Sequence, residues 1–278
     1  MKKRRNKTFV YVIFIVILLI LYFYMRFEYQ NIKVTNIGLD SLEELGIKIV
    51  YASDFQFDYG SEKIDSRAYK KSIDLINSQN PDIILLGGDY SNYNSMVDQS
   101  TEYLKKLSAP LGIYGVFGNH DPATSQYIKE ELKGSVTFLE NNQVTIPLPE
   151  SDKKIVISGV MDFWTGNSKI LTVSDKNHND QDIHILLSHQ PDFFEVMTDE
   201  ERAMFDITLS GHTHGGIVTI FGQMGIPPIM KNVSEYGDKY RYGDKDYYNS
   251  RIYVSSGLGG FGFLRLRFFA RPEIVVIM

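Results

Sequence analysis

Aspartate, asparagine and histidine recur in this chain in five short clusters. They read Asp54-Phe55-Gln56, Gly88-Asp89, Gly118-Asn119-His120-Asp121, Ser188-His189-Gln190 and Gly211-His212-Thr213-His214. Carboxylate, amide and imidazole groups are the ligands of hard and borderline divalent cations. An imidazole that is not a ligand suits proton transfer near neutral pH, because its unperturbed pKa is about 6.5. One such cluster alone carries little, since an Asp after a strand is also an ordinary turn or helix-capping residue. Five in series point to a metal centre assembled on a sheet.

What brings them together is the apolar run before each cluster: IKIVYAS, DIILLGG, GIYGVFG, DIHILLS and DITLS. Runs of this length, rich in β-branched residues, read as buried strands. Side chains leaving the carboxyl ends of neighbouring parallel strands converge, however far apart they lie in sequence. Between the strands, Tyr69, Ile73 and Ile76 recur at helical spacing in Glu62–Asn80, and Met96–Leu107 and Glu195–Phe205 read as further helices. Tyr29–Gly38, Val144–Ile146, Ile155–Val160, Arg251–Ser255 and Glu273–Met278 read as additional strands. Strand–helix–strand units favour parallel pairing with helical crossovers. The expectation is a mixed α/β domain of two mixed β-sheets packed face to face, with helices on the outside.

The order and spacing of the clusters resemble the calcineurin-like metallophosphoesterase family, whose pattern is Asp-x-His, Gly-Asp, Gly-Asn-His-Asp/Glu, a lone His, then Gly-His-x-His. Four blocks match in full; Gln56 stands where the family places a metal-binding His. The phrases LSHQPD, LSGHTHGG and RPEI are similar to the bacterial membrane-associated branch, which includes phosphodiesterases and UDP-diacylglucosamine pyrophosphatases. This resemblance implies a four-layer αββα sandwich and two divalent ions, manganese, iron or zinc. Asp54, Asp89 and His214 would hold the first ion, with Gln56 a poor substitute for imidazole. Asp89, Asn119, His189 and His212 would hold the second. His120 would be the catalytic acid and Asp121 would orient its ring, with Gly118 supplying an unusual backbone angle. His178 and His184 match no block and read as ordinary surface or strand residues.

Composition sets limits on the rest. The chain has no cysteine, which excludes disulfides, thiolate catalysis and a lipid-modified cysteine. Five of the 29 basic residues fall within the first seven positions, leaving 24 basic side chains against 34 acidic ones beyond them. So acidic a body has no general attraction for nucleic-acid backbones. Phe9–Met25 is 17 residues without charge, Gly or Pro. As a helix it would span about 25 Å, the short end of what crosses a bilayer. A cleaved signal peptide is the rival, but Tyr24-Met25-Arg26-Phe27-Glu28-Tyr29 offers only bulky residues at a cleavage site. The expected organisation is a basic cytoplasmic tail (1–8), a transmembrane anchor (9–25) with its basic end inside, and an extracytoplasmic domain (26–278).

The expected activity is hydrolysis of a phosphodiester or pyrophosphate, with a phosphate ester, lipid-linked by resemblance, as substrate. Apolar segments Ile220–Met230 and Phe261–Phe269 are candidates to meet a lipid tail, and Arg265, with Arg267 and Arg271, to meet phosphate or a headgroup. GLGGFG at 257–262 lacks dinucleotide-binding spacing and reads as a substrate-lining loop or a plain turn. A metal-binding or scaffold protein that lost turnover through Gln56 is the alternative from another class.

Overall fold

A computed structural model of the chain describes residues 2–278 except 57–61, 93, 149–150, 170–180 and 261–264, and leaves aside the side chains of 2–6, 62–66, 94 and 228. His178 and part of the 257–262 and 261–269 segments lie outside the described residues.

Helix α1 (Lys2–Gln30) is long and apolar enough over Lys7–Gln30 to cross a membrane. It does not stop at Met25. Arg26 and Glu28 interrupt the hydropathy but not the helix, and the last turns dock on the body. There the Phe269 N–H donates to the Glu28 carboxylate (2.7 Å) and Arg26 to the Arg265 carbonyl (3.1 Å). The strand expected from Tyr29 therefore begins only at β1 (Lys33–Ile37).

The chain continues through α2 (Asp40–Leu45), β2 (Ile49–Ala52), α3 (Glu62–Ser78), β3 (Ile83–Leu86), α4 (Val97–Leu104), β4 (Ile113–Gly115), α5 (Ser125–Glu131) and β5 (Thr137–Phe138). Then follow β6 (Asn142–Pro147), β7 (Lys154–Gly159), β8 (Ile183–Leu187), α6 (Phe193–Val196), α7 (Asp199–Ala203) and β9 (Ile207–Ser210). A small hairpin, β10 (Thr219–Ile220) and β11 (Met224–Gly225), precedes α8 (Pro227–Val233), β12 (Gly243–Tyr247), β13 (Ser250–Val254) and β14 (Glu273–Ile277). The single helix expected over Glu195–Phe205 is two, because Thr198 starts α7 with a reciprocal cap to Glu201.

Two six-stranded mixed sheets result, ordered β1-β14-β2-β3-β4-β5 and β12-β13-β9-β8-β7-β6. Alternation along the central strands explains the layering. Ile84 and Leu86 face the cluster under α3, α4 and α5, whereas Ile83 and Leu85 face the second sheet. In β8, Ile185 and Leu187 join that inter-sheet core, and Leu186 turns outward onto Phe193 and Phe194 of α6. The architecture is thus helices, sheet, sheet, helices. Strands β2, β3 and β4 are mutually parallel, as are β7, β8 and β9. The loops leaving β2, β3, β4, β8 and β9 carry the five polar clusters.

Candidate metal centre

Those loops put Asp54, Gln56, Asp89, Asn119, His120, His189, His212 and His214 around one point. Asp89, His189 and His212, all buried, present ligand atoms within 4.8 Å of one another. His189 Nδ1 faces the Gly87 carbonyl at 2.7 Å, and its Nε2 lies 3.3 Å from Asp89 Oδ2 and 3.2 Å from Asn119 Oδ1. A carbonyl behind one ring nitrogen commits the other to the centre. The Nε2 of His212 is buried with no hydrogen-bond partner. An orphaned imidazole nitrogen beside a carboxylate and a second imidazole fits a divalent cation by its donor chemistry.

The other half is built from β2 and the 212–216 loop. Asp54 accepts the Ser53 hydroxyl (2.6 Å) and the His212 N–H (3.0 Å to each oxygen), and His214 Nε2 lies 3.7 Å from its Oδ1. Gln56 turns its amide nitrogen to Asp89 Oδ2 at 3.4 Å. His120 stands at the mouth, its ring 45% exposed and its Nε2 4.0 Å from Asp89 Oδ2.

Backbone strain marks the same residues. Asp54, Gln56, Asp89, His212 and His214 all have φ between 45° and 69°, a region non-glycine residues rarely enter. The two histidines of the last cluster are therefore not on an extended segment, as their spacing suggested. The reversed turns send His212 toward His189 and His214 toward Asp54. Gly118 is required for closeness rather than for angle: a Cβ there would sit 2.2 Å from Asp89 Oδ1 and 2.7 Å from His189 Nε2. Gly257, at φ +62°, lies under Asp54, where a Cβ would come within 2.6 Å of the Asp54 Cβ. With the Leu258 and Gly259 N–H groups bonded to the Ser53 and Asp54 carbonyls (3.0 and 2.6 Å), this stretch is a packed floor rather than a flexible lining.

Electrostatics of the metal-free centre follow from burial and proximity. Burial alone would lower the His189 pKa, but Asp89 outweighs it and lifts it to about 10. His189 in turn holds Asp89 below the usual carboxylate range, against a burial effect that would raise it. Burial, reinforced by charged His189, drops His212 to about 3. His214 is pushed well below its ordinary value by burial and by the Arg267 guanidinium.

Three sequence expectations change. Asp121 does not orient the His120 ring. Its Oδ2 accepts the N–H groups of Asp89 and Gly118 (2.8 Å each) and its Oδ1 that of Tyr90 (2.9 Å), so it clamps the β3 and β4 loops together. Burial and the Asp89 charge raise its pKa to about 7. Arg265 is not a substrate contact: it is buried and bonds the Gln56 carbonyl and the Tyr69 hydroxyl. Arg267, also buried, caps the carbonyls of His214, Ser256 and Gly259, and Arg271 holds the Asn31 carbonyl. Carbonyls turned inward by the strained loops need donors, and these arginines supply them. One site residue went unread: Trp164, whose ring meets His212 edge-on at 4.5 Å and is 42% exposed. Its signal was available, as the chain's one tryptophan a few residues beyond a buried strand.

Residues 47–216 match the family described as calcineurin-like phosphoesterase. The chain belongs to that family and is a phosphate-ester hydrolase. It is 31% identical to phosphodiesterase YaeI of Escherichia coli K12 over 83% of this chain and 81% of that protein. It is 32% identical to the uncharacterized metallophosphoesterase YkuE of Bacillus subtilis 168, over 83% and 78%. It is 24% identical to UDP-2,3-diacylglucosamine pyrophosphatase LpxG of Chlamydia muridarum, over 84% and 83%. Among solved structures, a protein of Thermus thermophilus overlays with a TM-score of 0.47 at 12% identity, covering 76% of this chain and 90% of that one.

Proposed function

We propose that this chain is a membrane-anchored, metal-dependent hydrolase of a phosphodiester or pyrophosphate, working on the outer side of the membrane it crosses. The observation that carries the reading is the convergence of Asp89, His189 and His212 with an unpartnered His212 Nε2. Asp89, Asn119, His189 and His212 would hold one divalent ion, and Asp54, Asp89 and His214 a second. Bound ions supply Lewis acidity toward phosphoryl oxygens and make a hydroxide nucleophile accessible near neutral pH.

The chain's own residues do the rest. Asp89 lies between the two halves and serves both. His120, at the open mouth, donates a proton to the departing oxygen and recovers one from solvent. Arg265 and Arg267 are committed to carbonyls, so neither meets the substrate's charge, which bound metal ions would balance. Similarity to proteins named as a phosphodiesterase and as a UDP-2,3-diacylglucosamine pyrophosphatase supports a diester or diphosphate, the second of them lipid-linked. The apolar run of α1 and the basic residues before it support an anchor with its amino end in the cytoplasm.

Detergent-solubilised full chain should hydrolyse bis-p-nitrophenyl phosphate with Mn²⁺ and stop when a chelator is added. Bound metal without turnover on any diester or diphosphate would make the chain a metal-binding scaffold instead. Protease added to intact cells should digest the body, and a protected body would reverse the topology.

A further inference from the structure

The β10–β11 hairpin exposes what globular surfaces usually withdraw. Phe221 at its tip is 76% exposed, and Ile220 and Met224 on either side are nearly half exposed. Side chains of this kind gain free energy by leaving water. The tip is not loose. Arg241 bonds the Gly222 and Gln223 carbonyls at 3.1 Å each, and Thr219 Oγ accepts the Gly222 N–H at 3.0 Å while donating to the Phe269 carbonyl at 2.9 Å. Phe221 is thus held outward by a rigid frame.

Its neighbours say what it faces. The Phe221 ring packs on Phe269 (5.6 Å), and Phe269 packs on Tyr24 (5.6 Å), which lies on α1 near the end of its apolar run. Phe23 and Phe27, at i and i+4 on α1, are about two-thirds exposed. An unbroken aromatic chain therefore joins the hairpin tip to the level at which α1 would leave a bilayer, the level where amphipathic rings collect. A contiguous patch, unlike scattered exposed apolar residues, marks a contact surface.

We infer that the 219–225 hairpin is a second membrane contact, inserted into the lipid interface beside α1. This rests on reading α1 as the membrane anchor. The last turns of α1 are already docked on the body, and the hairpin adds a second point that fixes the body's tilt over the bilayer. The same Arg241 bonds the Gly215 carbonyl at 3.0 Å and its own carbonyl accepts the Thr213 hydroxyl at 2.7 Å, so the hairpin is tied directly to the loop bearing His212 and His214. Docking therefore sets the height of the metal centre above the bilayer, which suits a substrate whose phosphate lies at the headgroup level.

A chain without cysteine lends itself to single-site spin labels. Phe221→Cys, Met224→Cys, Ile17→Cys in mid-α1 and Tyr127→Cys on α5 are labelled in the full chain, reconstituted in phosphatidylcholine vesicles, and collisions with oxygen and a water-soluble nickel chelate are compared. Retained hydrolysis of a soluble diester shows each variant folded; none of the four is a site residue. The expected result is an oxygen-to-nickel ratio several-fold higher at 221 and 224 than at 127, with 17 higher still. Met224→Cys keeps Phe221 in place, so the result does not depend on removing it. Water-like ratios at 221 and 224 with a lipid-like ratio at 17 would overturn the docking and leave the anchor standing. A water-like ratio at 17 would overturn the anchor, and the docking with it.

Discussion

Behind the ligands of one half of the metal centre stand carbonyl acceptors; behind those of the other stand donors and a cation. His189 is backed by the Gly87 carbonyl, and His212 aims an unpartnered nitrogen inward. Asp54, by contrast, already accepts the Ser53 hydroxyl and the His212 N–H, and His214 Nδ1 sits 3.4 Å from the Arg267 guanidinium. Gln56 offers Asp89 an N–H where a ligand would offer a lone pair. Ligand identity separates the halves at Gln56, and at the Asp54 carboxylate against the neutral Asn119 amide. Their outer contacts separate them further, because those contacts fix how much lone-pair density and how much repulsion a cation meets.

The comparison is broken most severely by removing what both halves share. Asp89→Ala should lower diester hydrolysis by about 10⁴-fold or more, the worth of more than about 5 kcal/mol of metal-derived stabilisation. Tight metal retention with intact turnover would show that Asp89 does not join the two halves. His120→Ala tests the mouth rather than either half. Turnover should fall about 10²–10⁴-fold while bound metal, by mass spectrometry, stays unchanged. The loss should be smaller on p-nitrophenyl esters, whose leaving group needs less protonation; equal losses on poor and good leaving groups would remove the acid role.

What could be read from sequence was whatever periodicity and strand-end position control. The apolar runs placed β3 at Ile83–Leu86 and β8 at Ile183–Leu187, and with them the loops holding Asp89 and His189. What escaped were features set by side-chain direction after a strained residue. The resemblance implied that Asp121 serves His120, yet the turn sends its carboxylate to three backbone N–H groups instead. Arg265 and Arg267 carry the right charge for phosphate, but only the fold reveals that inward carbonyls claim them. The strand expected from Tyr29 starts later, at Lys33, because Arg26 and Glu28 end the apolar composition without opposing helix.

Asp121→Asn sharpens the distinction between holding the halves together and doing chemistry. The amide would aim an N–H₂ group at a buried N–H donor, leaving at least one donor unpaired at a cost of about 1–3 kcal/mol in stability. A lower melting temperature is expected for the metal-free chain, with turnover of the metal-saturated chain falling far less than for His120→Ala. A turnover loss matching His120→Ala with unchanged stability would restore Asp121 to the acid's partner.

The smallest expected effect addresses the asymmetry itself. Metal-stripped full chain titrated with Mn²⁺ should show two unequal affinities, the tighter at Asp89, Asn119, His189 and His212. Trp164 lies edge-on to His212 and is the chain's one tryptophan, so its fluorescence should respond to the tight event and little to the weak one. Gln56→His replaces a donor facing Asp89 with a neutral imidazole lone pair, and should strengthen the weak site by about tenfold without moving the strong one. The gap should narrow but stay open, because Arg267 is untouched: burial lowers its pKa to about 10, which still leaves it charged beside His214 at neutral pH. Equal affinities before the substitution, or an unchanged weak site with altered substrate preference after it, would place Gln56 in substrate binding and end the two-half account.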